Sequence, residues 1–131
     1  IDEDFAIYYR KFIKAYDMRP VAFDVYRRSS DRFSNNDRTI DNCTILESLF
    51  VPPGERSKKS FILYGLNILK FSTDEIKSIE DLIEYRNTII HADREKQLKL
   101  LSESKYMYKW FEDTFKLIRK ILYKYVESPW N

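Results

Sequence analysis

Residues 60–91 read SFILYGLNILKFSTDEIKSIEDLIEYRNTIIH, and this stretch decides the fold. Its first part, 60–71, is almost wholly apolar and predicts a central, buried helix. Gly65 lies inside that helix at a cost of about 1 kcal/mol relative to alanine, which favours close packing against a neighbour there. The following Ser72-Thr73-Asp74-Glu75 has the S-x-x-E form of a capping box, so it predicts a new helix over about 74–91.

Further helices are predicted on both sides of this pair. Four more segments carry apolar residues at the three- and four-residue spacing of an amphipathic helix: 3–16, 21–33, 38–51 and 102–126. The tandem prolines of VPPGERS (51–57) end the third of the predicted helices, and ADREKQ (92–97) is interpreted as a polar turn. Because the chain has only two glycines and four prolines, long helices are favoured over many short strands.

The expected fold is therefore an all-α helical bundle of about five core helices with an additional N-terminal helix. A length of 131 residues suits one domain, in which about 20–126 forms the core and 1–16 the additional helix. The sequence begins with Ile1 rather than methionine, so we treat it as a candidate piece of a longer protein.

Composition narrows the classes of function. The 23 basic and 21 acidic side chains give a net charge of +2, which is too even to indicate a nucleic-acid binder by itself. The single cysteine, Cys43, excludes an internal disulfide and a cysteine-ligated zinc site, and the single histidine excludes a multi-histidine metal site. We expect no metal and no cofactor. No apolar run approaches the roughly 20 residues that span a bilayer, so we expect a cytoplasmic protein without membrane contact.

An arginine, Arg86, lies in the middle of an apolar stripe on the 74–91 helix. At about 100° per residue, five apolar side chains fall in a sector about 120° wide around it: Ile79, Leu82, Ile83, Ile89 and Ile90. Because an unpaired buried guanidinium is strongly unfavourable, Arg86 needs a partner. Two explanations are open. One is a structural salt bridge, for which Glu47 is the natural candidate, and the other is a stripe that faces a cleft or second subunit where Arg86 meets an anion.

The only histidine of the chain, His91, follows Arg86 by five positions and lies about 140° around the helix from it. The segment RNTIIH (86–91) fits the R-x4-6-H motif of the HEPN domain superfamily, with a polar asparagine directly after the arginine. Upstream, TILESLFVPPGERSKKSFILYGLNIL (44–69) resembles the mid-region of the Apea-like HEPN branch. In that branch an LE-x-LF helix and a loop lead into a buried helix before the motif. The resemblance covers about residues 20–125.

The resemblance implies a metal-independent endoribonuclease that acts as a dimer, in phage defence or as a toxin. Arg86 and His91 would be catalytic, and Asn87 would orient the phosphate or the imidazole. An imidazole titrates near neutrality and can accept the proton of the RNA 2′-OH, while a guanidinium stabilises the charge of the pentavalent phosphorane. Since the two side chains diverge, two 74–91 helices would have to meet across a two-fold axis to form one site. The expected partners are single-stranded RNA, a second copy, and an antitoxin or an additional sensor domain.

The alternative is a HEPN-like module without catalysis, which dimerises or binds a nucleotide or a partner. In that case Arg86 belongs to a structural ion pair. Ala92 departs from the family pattern, because a glycine often follows the histidine there, and this departure concerns how the helix ends.

The basic side of the 102–126 helix is the candidate surface for RNA. Six basic residues share a sector about 140° wide: Lys105, Lys109, Lys116, Arg119, Lys120 and Lys124. Of these, the candidate substrate-binding residues are Lys105, Lys109, Lys116 and Lys120. Glu112 and Asp113 interrupt this sector, so a merely solvated face is the alternative. If RNA binds there, its phosphate contacts would make binding strongly salt-dependent.

Overall fold

The computed structural model describes residues 3–29, 31, 34–103 and 108–127, and in these residues all regular structure is helical. The helices are α1 (Glu3–Met18), α2 (Pro20–Ser29), α3 (Asn35–Phe50), α4 (Lys58–Ile68), α5 (Thr73–Ile90), α6 (Arg94–Leu101) and α7 (Tyr108–Glu127). The predicted all-α fold is confirmed. Within the described ranges, no helix is both long and apolar enough to cross a bilayer.

The start of α5 follows the local sequence signal. The Ser72 hydroxyl accepts a hydrogen bond from the Glu75 backbone N–H at 3.1 Å, and the Glu75 carboxylate accepts one from the Ser72 N–H at 3.0 Å. Two backbone donors that the helix itself cannot satisfy are thus paired. The predicted capping box is confirmed.

The interpretation of 92–97 as a turn is wrong, because α6 begins at Arg94. The Asp93 carboxylate accepts from the Lys96 N–H at 3.0 Å and so caps this helix. Only Leu100 of α6 is buried, so the segment lacks the apolar stripe by which a helix is recognised in a sequence. Residues 102 and 103, which were predicted to open the last helix, are not helical, and α7 is described from Tyr108 to Glu127. Lys105 lies outside the described residues.

Helix α3 is at the centre of the bundle. It packs against α2, α4, α5 and α7, while α1 packs on α7 and α2. The core residues without exposed surface include Ile45, Leu46, Leu49, Leu66, Ile79, Leu82, Ile118, Ile121 and Tyr125. Much of the apolar stripe predicted on α5 is therefore buried inside the chain.

Gly65 lies at a close contact between α4 and α3. A Cβ atom added at Gly65 would lie 2.3 Å from Cδ1 of Phe50, whose side chain is buried. Alanine has the better helix propensity, but there is no space for its methyl group here. The close packing expected at this glycine is present.

Gly65→Ala should lower the free energy of unfolding by about 1–3 kcal/mol, because overpacking against Phe50 outweighs the gain of about 1 kcal/mol in helix propensity. Chemical denaturation followed by circular dichroism measures this difference. Asn67→Ala is the matched control, because Asn67 is an exposed residue of the same helix, and its stability should stay the same or rise slightly. A Gly65→Ala variant as stable as the wild type would contradict the packing.

Candidate functional site

The R-x4-H segment forms the C-terminal end of α5. Arg86 is half-buried, whereas Asn87 and His91 are exposed. His91 is the C-cap residue, and its backbone N–H donates to the carbonyl of Asn87 at 3.0 Å. The histidine side chain is thus presented to solvent at the point where the chain leaves the helix.

Ala92 completes the end of α5. The Asp93 N–H donates to the Thr88 carbonyl at 3.0 Å and the Ala92 N–H to the Ile89 carbonyl at 3.2 Å, which is the Schellman arrangement. This requires Ala92 to adopt a φ of 50°, in the left-handed region that favours glycine. The departure from glycine at this position therefore concerns the backbone conformation that ends α5, as expected from the sequence.

Arg86 forms an ion pair with Glu47 of α3. Its Nη1 lies 3.1 Å from the Glu47 Oε1, and the two side chains are 18% and 22% exposed. Lys58 adds a second cation, with its Nζ 3.6 Å from the other carboxylate oxygen. The pair suggested by the sequence as the structural explanation of Arg86 is present and joins α5 to α3.

Glu47 satisfies only part of the guanidinium. Arginine carries five N–H donors, and the Nε of Arg86 is buried with no hydrogen-bond partner among the described residues. Loss of Glu47 would leave a half-buried charge without compensation, which is costly. The ion pair thus holds Arg86 in one position but leaves part of its hydrogen-bonding capacity unused.

Arg86 and His91 do not converge within one chain. Five residues of helix separate them by about 7.5 Å along the axis and about 140° around it. Arg86 is directed towards α3, where Glu47 lies, while His91 is exposed on another side. In ideal helix geometry, the two side chains therefore leave α5 in different directions.

The explanation that the whole apolar stripe of α5 faces another subunit is wrong. Ile79 and Leu82 have no exposed surface, and Ile83 is also buried in the core of the chain. Ile90, in the last turn, is the exception at 53% exposed. Only the C-terminal end of the stripe is available to a second copy.

A groove of about 500 Å³ opens beside the end of α5. It lies between the start of α3, the last turn of α5 and α6, and its lining includes Asn36, Thr88, Ala92, Arg94 and Gln97. The groove adjoins the C-terminal end of α5, and Arg86 and His91 do not line it. Among the described residues, Arg94 is the one cation in the lining of the groove, close to the end of the R-x4-H segment.

Tyr85 has a positioning role that its sequence context did not reveal. Its hydroxyl donates to the Asn36 side-chain oxygen at 2.7 Å, and its ring packs edge-on against Phe111 with centroids 5.2 Å apart. Burial raises the pKa of Tyr85 above its usual value. The sequence did offer one indication that Tyr85 is buried, because on the helical wheel it lies beside the apolar Leu82 and Ile89. Tyr85 thus holds the turn of α5 that contains Arg86 against α3 and α7.

The candidate lysines of α7 differ in their surroundings. Lys109 and Lys116 are exposed. The Lys120 ammonium donates to the Glu75 carboxylate at 2.6 Å, and this hydrogen bond is the main reason why the pKa of Glu75 lies below its usual value. Lys120 therefore connects α7 to the N-terminal end of α5.

The single thiol does not contribute reactivity. Cys43 is buried, and desolvation raises its pKa to about 12. Since the thiolate is the nucleophilic form, Cys43 stays unreactive near neutrality. In the part of the chain that the structure describes, no three His, Cys, Asp or Glu side chains are grouped to hold a metal ion.

No protein-family model, curated protein or solved structure matches this chain. The HEPN resemblance consequently stays a prediction from the residues quoted above.

Lys120→Gln should raise the pKa of Glu75 towards 4.5, its usual value, because the main hydrogen bond that stabilises the carboxylate is removed. A carboxyl group with a lowered pKa contributes stability above its unfolded pKa and loses it as the pH falls through the folded value. The stability difference between wild type and variant should therefore exist at neutral pH and shrink on acidification. NMR titration of the Glu75 carboxyl carbon measures the shift.

Lys109→Gln is the control, because it removes the same charge from an exposed position on α7. It should leave the Glu75 titration unchanged. Identical Glu75 titrations in wild type and Lys120→Gln would contradict the ion pair.

Proposed function

We propose that this protein is a metal-independent endoribonuclease of the HEPN type, whose active site is assembled from Arg86 and His91 of two copies. The observation that carries the proposal is the geometry of one helix end. There, an anchored, half-buried arginine and an exposed histidine lie one and a half turns apart, with the exposed Asn87 between them.

The chemistry needs no group beyond these side chains and the RNA. A neutral His91 imidazole accepts the proton of the 2′-OH while the oxygen forms a bond to phosphorus. The bond from phosphorus to the 5′-oxygen breaks, and the imidazolium of the second copy protonates that oxygen. The products are a 2′,3′-cyclic phosphate and a 5′-hydroxyl. Arg86 donates to the phosphate oxygens on which charge accumulates.

Two copies are required because Arg86 and His91 of one chain point to different sides. The exposed Ile90 lies next to Arg86 on the helix surface and offers an apolar contact to the same residue of a second copy. A two-fold axis near Ile90 would bring both helix ends to one cleft. In this arrangement the interface is the last turn of α5 rather than its whole apolar stripe.

The second candidate function is a non-catalytic HEPN-like module that dimerises or binds a nucleotide or a partner. The ion pair between Arg86 and Glu47 favours it, because a structural partner already accounts for the arginine. The two candidates differ in what His91 does. In the module, His91 is a surface residue without effect on RNA.

The purified protein is incubated with end-labelled single-stranded RNA in EDTA, beside His91→Ala and Arg86→Ala. We expect cleavage by the wild type with 2′,3′-cyclic phosphate ends, and a loss of rate of at least about 100-fold in each variant, the usual contribution of a general base or of a donor to the transition state. DNA of the same sequence should stay intact, because it lacks the 2′-OH nucleophile.

Lys99→Ala is the matched control for loss of a cation, because Lys99 is exposed on α6. It should cleave at the wild-type rate, and circular dichroism establishes that each variant is folded. Intact RNA with the wild type, or equal cleavage by a folded His91→Ala variant, would refute the ribonuclease and leave the non-catalytic module.

A further inference from the structure

A polar cavity of about 240 Å³ lies between α2, α3 and α7, away from the α5 helix end. At roughly 30 Å³ per water molecule, it has room for a small anionic group. Its polar lining comes from six side chains: Ser29, Arg38, Asn42, Glu112, Lys116 and Arg119. No residue of α5 contributes, so the cavity is separate from the proposed nuclease site.

Arg38 is fixed in the wall of the cavity. Its Nη1 lies 2.9 Å from the Glu112 carboxylate, and its guanidinium carbon lies 4.3 Å from the centre of the Phe115 ring. The ion pair and the stacking together hold the guanidinium in one orientation. The cavity thus contains a cation that is already positioned.

The cavity carries excess positive charge. Glu112 is the single acidic side chain in the lining, and it is engaged by Arg38. Lys116 and Arg119 line the same cavity from successive turns of α7, and neither has an ion-pair partner among the described residues. Two exposed cations of the lining are therefore not compensated by an ion pair within the described residues, which favours an anionic ligand.

Two buried polar side chains add hydrogen-bonding capacity. Ser29 is 5% exposed and Asn42 is 3% exposed, and both line the cavity. A serine hydroxyl and an asparagine amide are neutral donors that suit phosphate oxygens. A few converging polar groups beside fixed charge are typical of a ligand site.

An aromatic groove of about 490 Å³ adjoins this cavity, and the two share Tyr26 and Arg119. It lies between α1, α2 and α7, and its aromatic lining comprises Phe5, Tyr8, Tyr9, Phe12, Phe23, Tyr26 and Tyr123. Aromatic side chains of this kind stack on nucleobases without strong sequence preference. The groove therefore suits a flat ring attached to the group held in the cavity.

We propose that the cavity and the groove together bind a nucleoside phosphate, with the phosphate beside Arg38 and Arg119 and the base among the aromatic rings. The same chemistry is presented by a free nucleotide and by a nucleotide within an RNA strand. The site does not rest on the ribonuclease activity, because Arg86, Asn87 and His91 do not line it; of the lysines predicted to bind RNA, Lys116 does.

Isothermal titration calorimetry of the full chain with AMP, adenosine and an unphosphorylated single-stranded oligoribonucleotide tests the proposal. AMP should bind more tightly than adenosine. Arg119→Gln should weaken AMP binding by about tenfold, as for loss of one charge-assisted hydrogen bond. Tyr123→Ala should also weaken it several-fold, because Tyr123 lines the groove while remaining more than half exposed.

Lys99→Gln and Tyr108→Ala are the controls, since Lys99 on α6 and Tyr108 on α7 are exposed and line neither space. They should bind AMP like the wild type. If AMP binds and the oligoribonucleotide does not, the ligand is a free nucleotide. If the oligoribonucleotide binds and Arg119→Gln abolishes that binding, the ligand is a nucleotide within an RNA strand. Adenosine binding as tightly as AMP, or equal effects of Arg119→Gln and Lys99→Gln, would overturn the proposal.

Discussion

The ion pair between Arg86 and Glu47 is the constraint on which the candidate site depends. It joins α5 to the central helix α3 in a place where both side chains are about four-fifths buried. At that depth, either charge alone would be strongly destabilising, so each requires the other. Lys58 lies near the same carboxylate from the start of α4. The charged side chains of α3, α4 and α5 thus meet at Glu47, and this contact orients α5, the helix that carries Arg86 and His91.

The same constraint determines what the motif can do. An arginine held against α3 reaches a substrate only from the side that Glu47 leaves open, and His91 lies on a different side of α5. The proposed nuclease therefore depends on a second copy, and the exposed Ile90 at the helix end is the residue that supports such a contact. The nucleoside phosphate site proposed between α2, α3 and α7 does not depend on it. If both exist, the bundle presents catalytic and binding surfaces on different helices.

Features that depend on neighbours in the sequence were predicted well. The capping box at Ser72, the close packing at Gly65 and the apolar stripe around Arg86 follow from local spacing. The prediction that the helix around Gly65 is central and buried was wrong, because only Ile62, Gly65 and Leu66 of α4 are buried and α3 is the central helix. Helix α6 was missed because only one of its side chains is buried, so it has no apolar stripe. Arg38 and Glu112 are 74 positions apart, so the spacing of apolar residues along the sequence could not predict that they form a pair. Whether α5 faced its own core or another subunit was likewise undecidable from one helix.

A double-mutant cycle on Glu47 and Arg86 tests the central claim most directly. The unfolding free energies of wild type, Glu47→Gln, Arg86→Met and the double variant are measured by chemical denaturation at neutral pH. The account predicts a coupling energy of about 1–3 kcal/mol, because each single variant leaves the other group unpaired. Additive effects within about 0.5 kcal/mol would contradict it, since they would mean that the two side chains do not interact in solution.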